Sequence, residues 1–234
     1  MHRLLLKRSL SLAAVFLFLM LPKVSLATSF DVGAGVRLTK KVKTWKDVRN
    51  KNVVRQSLDF SCGAAGLSTI FNYYLNDPIN ETAIINGILQ TVDIAKVKAR
   101  RGFSLLDLKR FAEDNGYLVT GYQMDAEFLK ELGKPALCPI KFKNYRHFVI
   151  VRGIIGDRVF ITDPAIGNLT MKVARFENIW VDGIGLVIEH SANEDHSDSR
   201  LVVNKEDAIF ADYKNIMRTV NSSVLRTAVF PDEF

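Results

Sequence analysis

At Tyr117 the hydrophobic period of the chain changes, and that change limits the folds open to it. Before it, apolar residues recur at helical spacing: Leu67, Ile70, Phe71 and Tyr74 in one stretch, Leu105, Leu108, Phe111 and Ala112 in another. Asn80 caps a helix expected to run to about Leu89, and Ser104 with Asp107 forms a capping-box-like start to a helix ended by Asn115-Gly116. After Tyr117 come short β-rich runs: Tyr117 to Gln123, Ala136 to Phe142, His147 to Ile155 and Arg158 to Thr162. A short helix, Asp125 to Leu132, closes at Gly133, and Gly156-Asp157 reads as a tight hairpin turn. Leu169 to Val173 and Ile184 to Glu189 extend the sheet, with a helical turn at Arg175 to Trp180 between them. A helical half followed by an antiparallel sheet is an α+β layout.

The ends read differently. Residues 1–27 have a basic start (His2, Arg3, Lys7, Arg8), an apolar run from Leu10 to Leu21, and Ser25-Leu26-Ala27 as a small-x-small cleavage signal. This is the pattern of a signal peptide, and its apolar run is shorter than the roughly 20 residues of a membrane span. An exported chain cleaved before Thr28 is therefore expected, in the periplasm and with no stable span; an uncleaved anchor is the alternative. Residues 28–52 form a polar, basic lead-in that includes a short strand near Phe30 to Val36. From Ser191 the composition turns polar, so residues 191–234 read as a linker and tail, with a peripheral helix at Lys205 to Met217.

Removal of residues 1–27 also changes the charge argument. The chain carries 32 basic and 25 acidic residues, net +7, and four of the basic ones leave with that segment. The remaining 28 against 25 give little reason to expect a nucleic-acid partner. The basic cluster Lys96 to Arg101 reads as a solvated loop before Gly102. The three histidines beyond residue 27 and two distant cysteines give no metal-ligand spacing, so neither metal nor cofactor is expected.

The chemistry concentrates in Gln56-Ser-Leu-Asp-Phe-Ser-Cys62-Gly-Ala-Ala-Gly66. A thiol at a helix start faces free N–H groups and the positive end of the helix dipole, which favour the thiolate that attacks carbonyls. The Gln56 side-chain amide and the Cys62 N–H offer two donors for an oxyanion. His147 opens the strand Phe148-Val-Ile-Val151, a rigid support for a general base near the surface. If that strand pairs with Arg158 to Thr162, Asp163 returns to the level of His147 and orients its ring. The expected site is Cys62 as nucleophile, His147 as base, Asp163 as orienter and Gln56 as oxyanion donor. His190 and His196, flanking the polar linker, read as surface side chains. Cys62 and Cys138 as a disulfide is the competing reading in an oxidising compartment; a packed Cys138 thiol is the other.

Gln56-x5-Cys62-Gly-Ala-Ala, His147-Phe-Val-Ile and Thr162-Asp163-Pro164, in that order, resemble the C39 (bacteriocin-processing, double-glycine) cysteine peptidases. Gly102-Phe-Ser-Leu-Leu-Asp-Leu108 resembles the family's segment between nucleophile and base. The resemblance covers roughly Val53 to Glu189, giving residues 53–190 as a peptidase domain. It implies a papain-like fold, thiol-dependent peptidase activity on a peptide or protein substrate, and the same four residues in the same roles. The signal peptide and the lack of a transporter domain are similar to stand-alone exported C39-like proteins, including the one encoded with the functional-amyloid (Fap) secretion system. That similarity implies an accessory role in secretion or maturation, with an amyloid subunit or secretion components as partners. Two other expectations remain open: a non-catalytic C39-like binding or chaperone module, and a different Cys-His enzyme on a related fold.

Overall fold

A computed structural model of the protein describes residues 29–31, 37–39, 44–142, 145–190, 196–204 and 207. The expected signal peptide, most of the lead-in before Thr44 and the helix expected from Lys205 to Met217 lie outside the described residues. The chain divides into two units, Met1–Thr44 and Trp45–Phe234. Of the first, the described part is a hairpin of β1 (Ser29–Asp31) and β2 (Arg37–Thr39), paired antiparallel.

The second unit begins with α1 (Trp45–Arg49). Helices α2 (Cys62–Tyr73), α3 (Glu81–Thr91), α4 (Ile94–Arg100) and α5 (Leu105–Asp114) follow. Their starts obey local chemistry: Asn80 accepts from the Ala83 N–H at 2.8 Å, and Ser104 and Asp107 close a reciprocal capping box. The basic run at Lys96 to Arg101 departs from the loop expected there. It lies largely within helix α4, because Asp93 caps its start and Val97 anchors it in the core.

Beyond Tyr117 are β3 (Leu118–Gln123), α6 (Ala126–Leu132), β4 (Ala136–Phe142), β5 (Tyr145–Ile155) and β6 (Arg158–Asp163). Then come β7 (Gly167–Lys172), α7 (Val173–Glu177) and β8 (Ile184–Glu189). The six strands form one antiparallel sheet in the order β3-β8-β4-β5-β6-β7. The α+β arrangement expected from the change of period is the one observed.

The sheet has a core on each face. Leu67, Ile70 and Phe71 of α2, Ile84 and Ile88 of α3 and Leu108 of α5 pack with Leu137, Ile150 and Ile188 of the sheet. The opposite face buries Cys138, Val149, Val151 and Ile161 under Leu129, Phe176 and Trp180. Each fully buried aliphatic or aromatic side chain contributes about 1.5–3 kcal/mol, so the helical layer is firmly docked. Glycine sets how closely. A Cβ on Gly63 would meet Leu108 Cδ1 at 2.7 Å and Phe148 Cδ2 at 3.1 Å, and one on Gly66 would meet Leu137 Cδ1 at 2.8 Å. The slim first turns of α2 thus bring Cys62 down onto the sheet beside β5.

Candidate active site

Cys62 is the first residue of α2 and is 5% exposed. Ser61 makes no side-chain bond forward into the helix. Its hydroxyl instead donates back to the Leu58 carbonyl at 2.8 Å and accepts the Leu58 N–H at 3.1 Å. The first-turn N–H groups are therefore not consumed by a side-chain cap, and the positive end of the helix dipole stays directed at whatever lies before Cys62.

His147 is the third residue of β5 rather than the first, and at 8% exposure it is buried, not close to the surface as the sequence suggested. Two extra residues extend the strand because Phe142 pairs with Tyr145 across the β4–β5 turn. The ring's Nε2 lies 2.9 Å from Asp163 Oδ1. That oxygen also accepts the backbone N–H of Ala165 at 2.7 Å and of Ile166 at 3.3 Å, so the carboxylate is fixed by its own turn. With Nε2–H donated to Asp163, the ring presents Nδ1 to the remaining space.

Nδ1 is buried without a hydrogen-bond partner, and Cys62 is near enough to favour the protonated ring. Burial pulls the His147 pKa down, but the hydrogen bond to Asp163, the neighbouring Cys62 and the charge of Asp163 outweigh it and raise it to about 9.

Asp163 does not sit directly opposite His147. The β5–β6 ladder pairs Ile150 with Thr162, which puts Asp163 across from Val149, one same-face step away from His147. The diagonal is short enough for the 2.9 Å contact.

Gln56 is held at both ends of the site loop. Its backbone N–H donates to the Pro164 carbonyl at 3.0 Å, tying it to the residue after Asp163. Its side-chain Nε2 donates one hydrogen to the Leu58 carbonyl at 3.0 Å, and Oε1 is buried without a partner. One amide hydrogen is thus left for another acceptor.

Two residues that sequence reasoning passed over also shape the site. Tyr145 stacks on His147 with centroids 5.9 Å apart and donates its hydroxyl to the Asp59 carbonyl at 3.3 Å. Burial, then the charges of Cys62, Asp59 and Asp163, push its pKa up. Glu81 is buried and accepts the Ser57 N–H on both oxygens, at 3.1 and 3.2 Å, pinning the Gln56 loop. In the sequence Glu81 reads only as an acid favourable to a helix start; nothing local signals a partner 24 residues away.

Beside His147 and Asp163 opens a cleft of about 260 Å³, lined among others by Ile140, Val149, Leu169, Met171 and Arg175. Cys138 is a free thiol, as is Cys62, so the disulfide reading does not describe this structure. His190 and His196 are half-buried rather than surface groups. His190 Nε2 lies 3.2 Å from the Leu75 carbonyl, and His196 sits against the Tyr74 ring.

Comparison with known proteins agrees with this layout. A solved peptidase domain of Streptococcus ComA, a bi-functional ABC transporter, matches with a TM-score of 0.51 at 19% identity, over 59% of this chain and 98% of that domain. The likeness speaks for the fold, which is papain-like. "Probable functional amyloid protease FapD" of Pseudomonas aeruginosa is 36% identical over 60% of this chain, a stretch spanning 62% of that relative's own length. The protein of the same name from Pseudomonas fluorescens is 35% identical over 72% of this chain and 75% of its own. The family model described as "Peptidase C39 family" matches residues 50–193, which hold Gln56, Cys62, His147 and Asp163. The chain belongs to the peptidase C39 family.

Proposed function

We propose that this protein is a cysteine peptidase that cuts an exported protein in the periplasm, as an accessory to secretion or maturation of an amyloid-forming partner. The observation that carries the reading is the 2.9 Å contact between His147 Nε2 on β5 and Asp163 Oδ1 at the end of β6; the start of α2 at Cys62, one of the groups that favour the protonated ring, supports it. The functional-amyloid relatives support the choice of partner, and the pattern of residues 1–27 supports export.

The chemistry follows from the geometry. The Cys62 sulfur attacks a peptide carbonyl carbon, and the electron pair moves to the carbonyl oxygen. The Cys62 N–H and the remaining Gln56 amide hydrogen receive that oxyanion. His147, protonated and facing the sulfur through Nδ1, gives its proton to the departing amine. Water then attacks the thioester, the now neutral His147 takes its proton, and the C–S bond breaks to release the carboxylic product and return the Cys62 thiolate. Asp163, accepting Nε2–H, keeps the ring in one orientation. The apolar cleft beside the dyad receives uncharged side chains of the substrate.

The test is Cys62→Ala, which removes the nucleophile with little change of shape. Cleavage of a substrate trapped on that variant should fall by at least about a thousandfold. Unchanged cleavage would refute the mechanism. Secretion fully restored in cells by the Cys62→Ala protein would instead favour a binding module.

A further inference from the structure

The hairpin that carries His147 and Asp163 contains an irregularity on which their meeting depends. From the turn, Ile155 pairs with Arg158, Ile154 with Val159 and Gly153 with Phe160. Past Arg152 the register shifts, and the partners become Val151 with Ile161 and Ile150 with Thr162. Residues opposed across an antiparallel pair share a face, and a slip of one residue exchanges the faces. Had the first register continued, Asp163 would stand opposite Ile150, whose side chain belongs to the helical core. The bulge moves it opposite Val149, on the pleat face shared with His147.

The bulged residue is tied down. Arg152 has a side chain 11% exposed, and its Nε donates to the Leu201 carbonyl at 2.7 Å. One terminal nitrogen reaches Asp207 Oδ2 at 2.8 Å. Asp207 is itself held in a turn, with its N–H on Asn204 Oδ1 at 2.9 Å. Leu201 is fully buried in the helical core. Val203 lies over Gly153, where an added Cβ would come within 3.3 Å of its Cγ2. Leu201 and Asp207 therefore grip the bulge through Arg152, and Val203 covers the residue after it.

We propose that Arg152 is a positioning residue: clamped by the Leu201 carbonyl and the Asp207 carboxylate, it locks the β5–β6 bulge and so keeps Asp163 on the face of His147. This rests on the peptidase reading above. It gives a role to a stretch beyond His190 that carries no catalytic motif.

The experiment uses the full chain and reads the rate of Cys62 alkylation by iodoacetamide at pH 6 and pH 10, with mass mapping to separate Cys62 from Cys138. At pH 6 the rate depends on the imidazolium that pairs with the sulfur; at pH 10 an ordinary thiol reacts unaided. Asp163, Cys62 and Tyr145 are the titratable groups facing that ring. Arg152→Met should slow alkylation at pH 6 by about tenfold or more and leave the pH 10 rate nearly unchanged. Arg152→Lys should recover part of the loss, since a single ammonium cannot serve a carbonyl and a carboxylate in the same fixed fork. Asp207→Asn should act in the same direction by about threefold. It carries the test alone if Arg152→Met does not fold.

Ile84→Ala, a cavity in the helical core far along the chain, controls for lost stability. An equal loss in that variant, or pH 6 rates like wild type in folded Arg152→Met and Asp207→Asn, would overturn the proposal. A wild-type protein with no enhanced reactivity at pH 6 would defeat the peptidase reading itself. Enhanced wild type with unaffected variants would defeat only the clamp.

Discussion

Cys62 and Cys138 are both free and both buried, and they differ in company. Cys138 is fully enclosed in β4, opposite Val149 and packed in an apolar layer. Burial is the one cause acting on its thiol, and it pushes the pKa far up, so the group stays protonated and behaves as a small hydrophobe. Cys62 is almost as hidden, but it begins a helix and acts on an imidazole already bonded to a carboxylate. Burial alone therefore says nothing about reactivity here; the neighbouring charge does. Alkylation of the native protein at pH 7 should label Cys62 at least about a hundredfold faster than Cys138, with Cys138 reached only on unfolding. Peptide mapping of the labelled protein checks this, and prior labelling of Cys138 would break the contrast.

A second, smaller effect sharpens it. The folded His147 pKa of about 9 lies above the 6.5 of an unperturbed ring. Stability from that ring is complete below about pH 6.5 and is lost as the pH rises through about 9, because the unfolded chain releases a proton that the native state retains. Between pH 6.5 and 8.5, a window largely below free thiol ionisation, unfolding free energy should fall by on the order of 2 kcal/mol. Urea midpoints across that window measure the fall. Cys62→Ala should flatten it by removing one of the charges that hold the proton; Cys138→Ala should leave the slope alone. Equal slopes in all three proteins would mean that the sulfur of Cys62 contributes nothing to the ring.

The parts of this arrangement legible in the sequence are those set by neighbours close along the chain. The cap at Asn80, the box at Ser104 and Asp107, and the turn at Gly156 each occupy four residues or fewer, and each forms as read. The nearness of His147 to Asp163 is legible because a hairpin converts spacing into position. What was not legible involves partners far away. His190 and His196 read as surface groups in a polar stretch, but aromatic rings and a carbonyl more than 70 residues earlier cover them. The bulge at Arg152 left one trace, Gly153 inside a strand-like run, which signals a bulge or a close approach. Here it marks both, and the shift at that point sets the face on which Asp163 returns.

The smallest effect isolates the charge that separates the two cysteines. In Asp163→Asn the side-chain oxygen can still accept Nε2–H from His147 and the N–H groups of Ala165 and Ile166, the three donors that Oδ1 serves now. Turn, tautomer and ring position are therefore retained, and only the negative charge is lost. Part of what lifts the His147 pKa goes with it, so the basic limb of the cleavage profile should move from near pH 9 toward neutrality. The rate at the optimum should fall by about tenfold, or about 1.4 kcal/mol of transition-state stabilisation. Asp163→Ala, which also removes the turn, should cost more. Alkylation of Cys62 should slow in step with the shifted limb, and that of Cys138 should not change. A limb that stays near pH 9 in Asp163→Asn would mean that the Cys62 sulfur alone holds the proton on the ring, and would move the difference between the two thiols from the sheet to the helix.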